Sequence, residues 1–128
     1  MKLDELTMIS PLDYYDKVNL WGHIVLFKHV FHIGWNNDFS GAIGYPERFV
    51  FALHNSRLYI QPMKTEGFCV RRNRQGKNWT YTPIGMWQLP EGIELPQGFF
   101  PCYKDKECLL YYFDLAHPVT KEEIEDVK

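Results

Sequence analysis

The sequence has no long uninterrupted hydrophobic run; residues 24–27, for example, are apolar, but Lys28 follows them directly. A membrane-spanning helix needs roughly 18 consecutive apolar residues, so we expect none in this chain. The first twenty residues also lack the apolar segment of a secretory signal peptide, and they carry four acidic side chains: Asp4, Glu5, Asp13 and Asp16. We therefore expect a cytoplasmic protein that has no membrane partner.

Cysteine is scarce as well, with only Cys69, Cys102 and Cys108 in the chain. An odd number of cysteines in an intracellular protein argues against a disulfide framework, so we expect reduced thiols. A structural zinc site usually has two cysteines separated by roughly two to four residues. Five residues separate Cys102 from Cys108, and there is no second close pair. The sequence thus predicts neither a bound metal nor a cofactor.

Motifs of nucleophilic and phosphate chemistry are missing too. There is no serine-centred nucleophile elbow, and Gly41 and Gly44 are not followed by the lysine of a phosphate-binding loop. A metal-independent ribonuclease needs a base, an acid and a cation, and the chain contains side chains of each type: His29, His54, Glu66, Arg71, Arg72 and Tyr81. Because most domains of this composition contain such residues, we predict a protein that is not an enzyme, with a nuclease as the enzymatic alternative.

Charged residues make up only 23% of the 128 residues, whereas 45% are hydrophobic and 16% are aromatic. This balance provides enough apolar surface for a folded core and excludes a mainly disordered chain. A chain of this length normally forms one domain, and no internal repeat is visible. We therefore expect a single globular domain over residues 1–128.

Short apolar segments with turn signals about every ten residues dominate the chain after residue 47, a pattern typical of antiparallel sheets. The predicted strands cover residues 48–53, 57–61, 68–72, 77–82, 84–89, 99–103 and 108–114. Residues 23–33 are apolar on both alternating faces, which favours one central strand, with a helix as the alternative. Residues 35–46 are rich in turn-forming residues and predict a long loop.

Helices are expected only near the two ends of the chain. Ser10 and Pro11 are a favourable start for a helix over residues 11–19, and Thr120 with Glu123 forms a capping-box pattern for a helix that continues to Val127. The predicted fold is therefore α+β: mainly an antiparallel β meander that curls toward a small barrel, with short N- and C-terminal helices.

The formal net charge is −2, which does not suggest a general polyanion-binding protein, but the charge is unevenly distributed. Residues 57–77 contain six basic residues and one acidic residue, whereas residues 104–128 contain four basic and seven acidic residues. The basic segment includes Arg71, Arg72, Arg74 and Lys77, followed at once by Trp79 and Tyr81. Arginines beside aromatic rings are typical of single-stranded nucleic-acid binding, and the alternative is a solvated hairpin tip that is charged for solubility.

The chain has nine Phe, eight Tyr and four Trp, more rings than a core of this size normally holds. Some rings should therefore be exposed, and the candidates are Tyr14, Tyr15, Trp21, Trp35, Tyr45, Trp87, Tyr103, Tyr111 and Tyr112. Tyr, Trp and Arg are also the side chains that most often anchor protein interfaces. The alternative is a core rich in rings whose tyrosine hydroxyls reach its rim.

Together these patterns predict a small, non-enzymatic binding or inhibitor protein that acts through protein–protein contacts, in the style of immunity proteins, antitoxins and virus-encoded inhibitors. The predicted contact surface includes Arg71, Arg72, Arg74, Lys77, Trp79, Tyr81, Trp35 and Tyr45. The alternative is a single-stranded nucleic-acid-binding barrel that uses residues 71–81, with or without metal-independent ribonuclease activity. A barrel that holds an apolar small molecule is a third possibility. The sequence does not indicate an oligomeric state.

Overall fold

The structure, a computed structural model, describes residues 19–71 and 79–125 of the chain. These residues form an eight-stranded antiparallel sheet and two short helices. The elements, in chain order, are β1 (Trp21–Phe27), β2 (Val30–Asn36), α1 (Asn37–Ala42), β3 (Arg48–His54), β4 (Arg57–Met63), β5 (Phe68–Cys69), β6 (Trp79–Gly85), a 3-10 turn (Met86–Gln88), β7 (Gly98–Lys104), β8 (Tyr111–Asp114) and α2 (Lys121–Glu125).

The strands lie in the order β5-β3-β4-β8-β7-β1-β2-β6. The two outermost strands approach each other, because the Tyr81 amide donates to the Arg71 carbonyl (2.9 Å) and the Thr82 hydroxyl donates to the Cys69 carbonyl (3.0 Å). The predicted antiparallel barrel is thus confirmed as a nearly closed sheet. The strand order of the described residues departs from a simple meander, because β4 pairs with β8 and β7 pairs with β1.

The segment 23–33 is a hairpin rather than one strand. β1 pairs with β2 from Gly22↔Trp35 to Phe27↔Val30, and both residues of the connecting turn have positive φ: Lys28 at 50° and His29 at 63°. Two consecutive left-handed residues are what a tight hairpin needs in order to match the twist of its strands. Such turns usually contain Asn or Gly, so Lys-His did not signal the turn.

The predicted loop over residues 35–46 is also wrong, since β2 continues to Asn36 and α1 follows directly. The Asn36 side chain caps α1: its Oδ1 accepts the amide of Phe39 (3.2 Å) and also that of Trp21 (3.3 Å). An asparagine cap satisfies an amide that the first helical turn leaves without an intrahelical partner. α1 therefore begins where the turn-forming residues suggested an irregular segment.

The C-terminal helix is confirmed together with its capping box. The Thr120 Oγ1 accepts the Glu123 amide (3.3 Å), and the Glu123 carboxylate accepts the Thr120 amide (3.4 Å). The N-terminal helix predicted over residues 11–19 lies almost entirely outside the described residues. Other strand boundaries differ as well. β5 ends at Cys69, and the strands predicted over residues 77–82 and 84–89 form the single strand β6, followed by a 3-10 turn over residues 86–88. β8 begins at Tyr111 after a turn that occupies residues 105–110.

Aromatic side chains fill the interior of the barrel. The largest fully buried ones are Trp35, Phe39, Phe49, Phe100 and Phe113. Gly22 leaves room for one of them, since a Cβ at this position would collide with the Phe113 ring. In the two described ranges, no helix is both long and apolar enough to cross a bilayer.

Candidate protein-binding surface

The outer face of β1, β2 and β6 carries side chains that point away from the core. Ile24, Ile33 and Ile84 are fully buried inside the barrel, and the residues that alternate with them therefore face outward. The strand registers align Phe27 with Val30, and Val30 with Gly85, at the end of this face. Neighbouring strands are about 5 Å apart, so these positions form a continuous row.

A group of apolar side chains, which we call the aromatic patch, lies at the end of that row and consists of the exposed Phe27, Met86 and Trp87 and the half-buried Val30. The Trp87 side chain is 85% exposed, Phe27 is 61% exposed and Met86 is 47% exposed. The indole lies against Gly85, because a Cβ built on this glycine would collide with it. Glycine thus leaves room for the Trp87 indole against the end of β6, at the position that lies opposite Val30.

The backbone that presents Trp87 is fixed by hydrogen bonds. The Gly85 amide donates to Oε1 of Gln88 (2.8 Å), and the Leu89 amide donates to the carbonyl of Met86 (3.2 Å). These bonds hold the 3-10 turn directly after β6. Trp87 is therefore displayed on a constrained turn, so little conformational entropy remains to be lost when a partner covers it.

A second group on the same outer face is a histidine–tyrosine pair. The registers place His23 beside Gly34 and Gly34 beside Tyr81, and the two side chains meet across the glycine with Nδ1 of His23 2.8 Å from the Tyr81 hydroxyl. A Cβ at Gly34 would lie 2.5 Å from the Tyr81 ring. The His23 imidazole also stacks on Phe99, with ring centroids 4.0 Å apart.

Burial fixes the protonation of this pair. Desolvation, reinforced by the positive charge of Lys121, lowers the pKa of His23 below its ordinary value of 6.5. Burial raises the pKa of Tyr81. The neutral imidazole therefore accepts at Nδ1 and the phenol donates. The pair is half-buried and internally hydrogen-bonded, which suits a structural contact between β1 and β6.

A third cluster lies on the outer face of β4 and β8. The Arg57 guanidinium sits 4.2 Å from the centroid of the Tyr112 ring and forms a 3.3 Å ion pair with Asp105. The Tyr59 hydroxyl donates to the same Asp105 oxygen (2.8 Å). Backbone amides of Glu107 and Cys108, together with the Tyr59 hydroxyl, hold the pKa of Asp105 below its ordinary value. The carboxylate is thus fully engaged within the protein.

The structure distributes the sequence-predicted site residues widely. Trp35 does not belong to a contact surface: it is fully buried and its indole donates to the Ser40 hydroxyl (2.8 Å). Tyr45 and Arg71 are exposed, and Tyr81 is half-buried against His23. Trp79 is the first residue of β6. The remaining three predicted residues, Arg72, Arg74 and Lys77, lie outside the described residues.

We also expected several other rings to be exposed. Trp87 and Tyr103 are exposed, whereas Trp21 and Tyr112 are buried and Tyr111 is half-buried. Tyr14 and Tyr15 lie outside the described residues. Sequence reasoning missed Phe27 and Met86, because both were assigned to strand interiors. The only available signal was their position beside Lys28 and Trp87, at the ends of apolar segments.

Within the part of the chain that the structure describes, no three His, Cys, Asp or Glu side chains are grouped closely enough to hold a metal ion. No family model, curated protein or solved structure matches this chain. The geometry of the described surface is therefore the basis for a functional proposal.

Proposed function

We propose that the protein is a small binding or inhibitor protein that recognises another protein through the aromatic patch on the outer face of β1, β2 and β6. The observation that carries this proposal is the exposure of Trp87, Met86 and Phe27 at one end of the sheet. Isolated exposed apolar residues are common on protein surfaces, but several large ones in one region often mark an interaction site. In the strand registers Phe27 lies opposite Val30, and Val30 lies opposite Gly85, against which the Trp87 indole packs.

The energetic argument follows from the size of the rings. Burying an aromatic side chain removes roughly 150 to 250 Å² from water, and each Å² of apolar surface contributes about 25 cal/mol. A well-packed Trp87 therefore supplies several kcal/mol of gross binding energy, and its fixed turn limits the ordering cost. These are the properties of interface residues whose truncation weakens binding by about 2 kcal/mol or more.

The partner that suits this surface is a protein with an apolar depression. A nucleic-acid partner would use residues 71–77 with Tyr81, and the exposed Arg71 does lie beside that tyrosine. The Tyr81 ring, however, is half-buried and its hydroxyl contacts His23, which leaves less ring surface for base stacking.

Cys69, Cys102 and Cys108 are free thiols, which supports an intracellular site of action.

The test begins with the partner retained by the wild-type protein from the cells that produce it, purified and titrated against variants by calorimetry. We expect Trp87→Ala to weaken the affinity about 30-fold or more, which corresponds to about 2 kcal/mol. Phe27→Ala should weaken it in the same direction. The melting temperature should stay nearly unchanged, because both rings are exposed in the free protein.

Tyr45→Ala is the matched control: the sequence placed Tyr45 in the predicted contact surface, but this exposed ring follows α1 at the opposite end of β2 from Val30 and is not part of the aromatic patch. It should retain wild-type affinity. The proposal is wrong if the wild-type protein retains no protein partner, or if Trp87→Ala and Phe27→Ala both bind as tightly as the wild type.

A further inference from the structure

The turn between β7 and β8, which we call the 105–110 loop, holds an apolar side chain in an unfavourable backbone conformation. Leu109 has φ = 64° and its side chain is 65% exposed. The left-handed region is unfavourable for an L-residue because its Cβ comes too close to the following carbonyl oxygen, and this position of a turn normally contains Gly or Asn. Leucine gains little from burial here, so neither the backbone nor the core explains the residue.

The same loop is held rigidly by its first residue. The Asp105 amide donates to the Leu110 carbonyl (2.8 Å), and the Leu109 amide donates to the Asp105 carbonyl (2.9 Å). The Asp105 carboxylate accepts the amides of Glu107 and Cys108 inside the loop, and on its other side it binds Arg57 and Tyr59 of β4. The loop is therefore fastened to the barrel, and Leu109 is presented in one conformation.

The charge around Leu109 is complementary to an acidic surface. Lys104 and Lys106 are both exposed, and Glu107 is the exposed acidic residue of the loop. The carboxylate of Asp105 is paired with the Arg57 guanidinium. With Asp105 paired, the other exposed charges of residues 104–110 are two positive and one negative, so this stretch carries a net positive charge.

We propose that the 105–110 loop is a second docking element, which inserts Leu109 into an apolar pocket with an acidic rim on a protein partner. Backbone strain in a residue that is mostly exposed persists where another requirement maintains it, and a rigid loop binds with a small ordering cost. The inference shares with the proposed function the premise of a protein partner, but it uses a different surface. β7 is antiparallel to β1, so the loop lies at the opposite end of the barrel from Phe27.

The test uses the full-length protein with the photo-reactive residue benzoylphenylalanine at position 107, irradiated in the cells that produce it. A covalent adduct alone does not support the inference; its dependence on Leu109 does. We expect Leu109→Gly and Leu109→Asn to reduce the adduct yield at least tenfold. Both residues tolerate positive φ, so the melting temperature should stay the same or rise by a few degrees.

Leu53→Asn is the matched control, because Leu53 is an exposed leucine on β3 and its replacement should leave the adduct yield unchanged. Replacing Lys104 and Lys106 together by Glu should lower the yield. If the adduct yield is unchanged in that double variant, the partner's pocket does not have the proposed acidic rim. No adduct, or equal yields in Leu109→Gly and the wild type, overturns the docking element.

The two proposals fail separately. If the adduct depends on Leu109 while affinity is insensitive to Trp87→Ala and Phe27→Ala, the 105–110 loop stands and the aromatic patch is wrong. If Trp87→Ala weakens binding while the adduct is indifferent to Leu109, only the loop is overturned.

Discussion

At the scale of single residues, Gly34 determines which side chains meet on the outer face of the sheet. A Cβ at this position of β2 would collide with the Tyr81 ring and the Thr80 carbonyl, but the glycine lets the Tyr81 ring lie over the strand and reach His23. The contact then buries both groups by about half. Burial disfavours the charged imidazole, so the strand register produces the lowered pKa of His23.

This lowered pKa predicts how stability depends on pH. In the unfolded chain His23 takes up its proton as the pH falls through about 6.5, whereas the folded protein resists protonation until a lower pH. The unfolded state binds more protons in that window, so the free energy of unfolding decreases as the pH falls below about 6.5. The contribution of His23 to the free energy of unfolding is fully present at higher pH, where its imidazole is neutral in both the folded and the unfolded chain.

The measurement is chemical denaturation of the wild type and His23→Gln between pH 5 and 7.5. The wild-type protein should lose stability below about pH 6.5, and the variant should lack that component. The difference between the two proteins should therefore shrink as the pH falls. A difference that stays constant or grows at low pH would contradict the assigned protonation. His117→Gln is the control, because His117 is exposed and contacts only its local neighbour Asp114 in the described structure.

At the scale of elements, β6 shows how the open edge of the sheet is protected. The amides of Tyr81 and Gly85 point away from β2 and donate to the Arg71 carbonyl and to Gln88 Oε1. Pro83 lies between them and has no amide hydrogen. None of these three alternate positions therefore presents a free amide donor to another strand. Because edge strands with free donors promote association between molecules, this arrangement protects the edge.

We therefore predict that Pro83→Thr combined with Gln88→Ala increases self-association, because it exposes two edge donors at once. Light scattering and size-exclusion chromatography over a range of concentrations provide the measurement. Gln61→Ala is the control, since Gln61 is an exposed residue of β4 that forms no side-chain hydrogen bond within the described structure. If the double variant remains as dispersed as the wild type, edge protection is not the role of Pro83.

The elements differ in how well the sequence predicts them. Thr120 and Glu123 identified α2 because both partners of the capping box are local in sequence. The turn at Lys28 and His29 was not predicted, because its positive φ values are imposed by the pairing of β1 with β2. Strand existence was therefore predictable from local pattern, whereas the strand order depends on contacts between residues far apart in the chain.

The same limit applies to the candidate site. Trp35 and Trp87 are chemically identical, yet one is fully buried and the other is 85% exposed. Trp35 lies on the inward face of β2, while Trp87 follows the end of β6, and only the register separates the two cases. Composition predicted that some rings would be exposed, and the structure was needed to show which.

At the scale of the whole molecule, Phe27 and Trp87 lie at the opposite end of β6 from its first residue, Trp79. Phe27 and Trp87 lie where β1 and β6 end, whereas residues 72–78 connect Arg71 to the first residue of β6. Partners that use these two regions would respond differently to salt. Apolar burial is little affected by ionic strength in the physiological range, but phosphate contacts release counterions.

Salt dependence therefore distinguishes the protein-binding proposal from its nucleic-acid alternative. If Arg71, Arg72, Arg74 and Lys77 each contact a phosphate of a single strand, affinity should fall about 50-fold for a fourfold increase in salt. We expect the affinity of the purified protein partner to change only a few-fold over the same range, and a labelled oligonucleotide should not bind at low salt. An oligonucleotide that binds at low salt and dissociates steeply as salt rises would instead assign the function to residues 71–81, because apolar contacts release no counterions and cannot produce that slope.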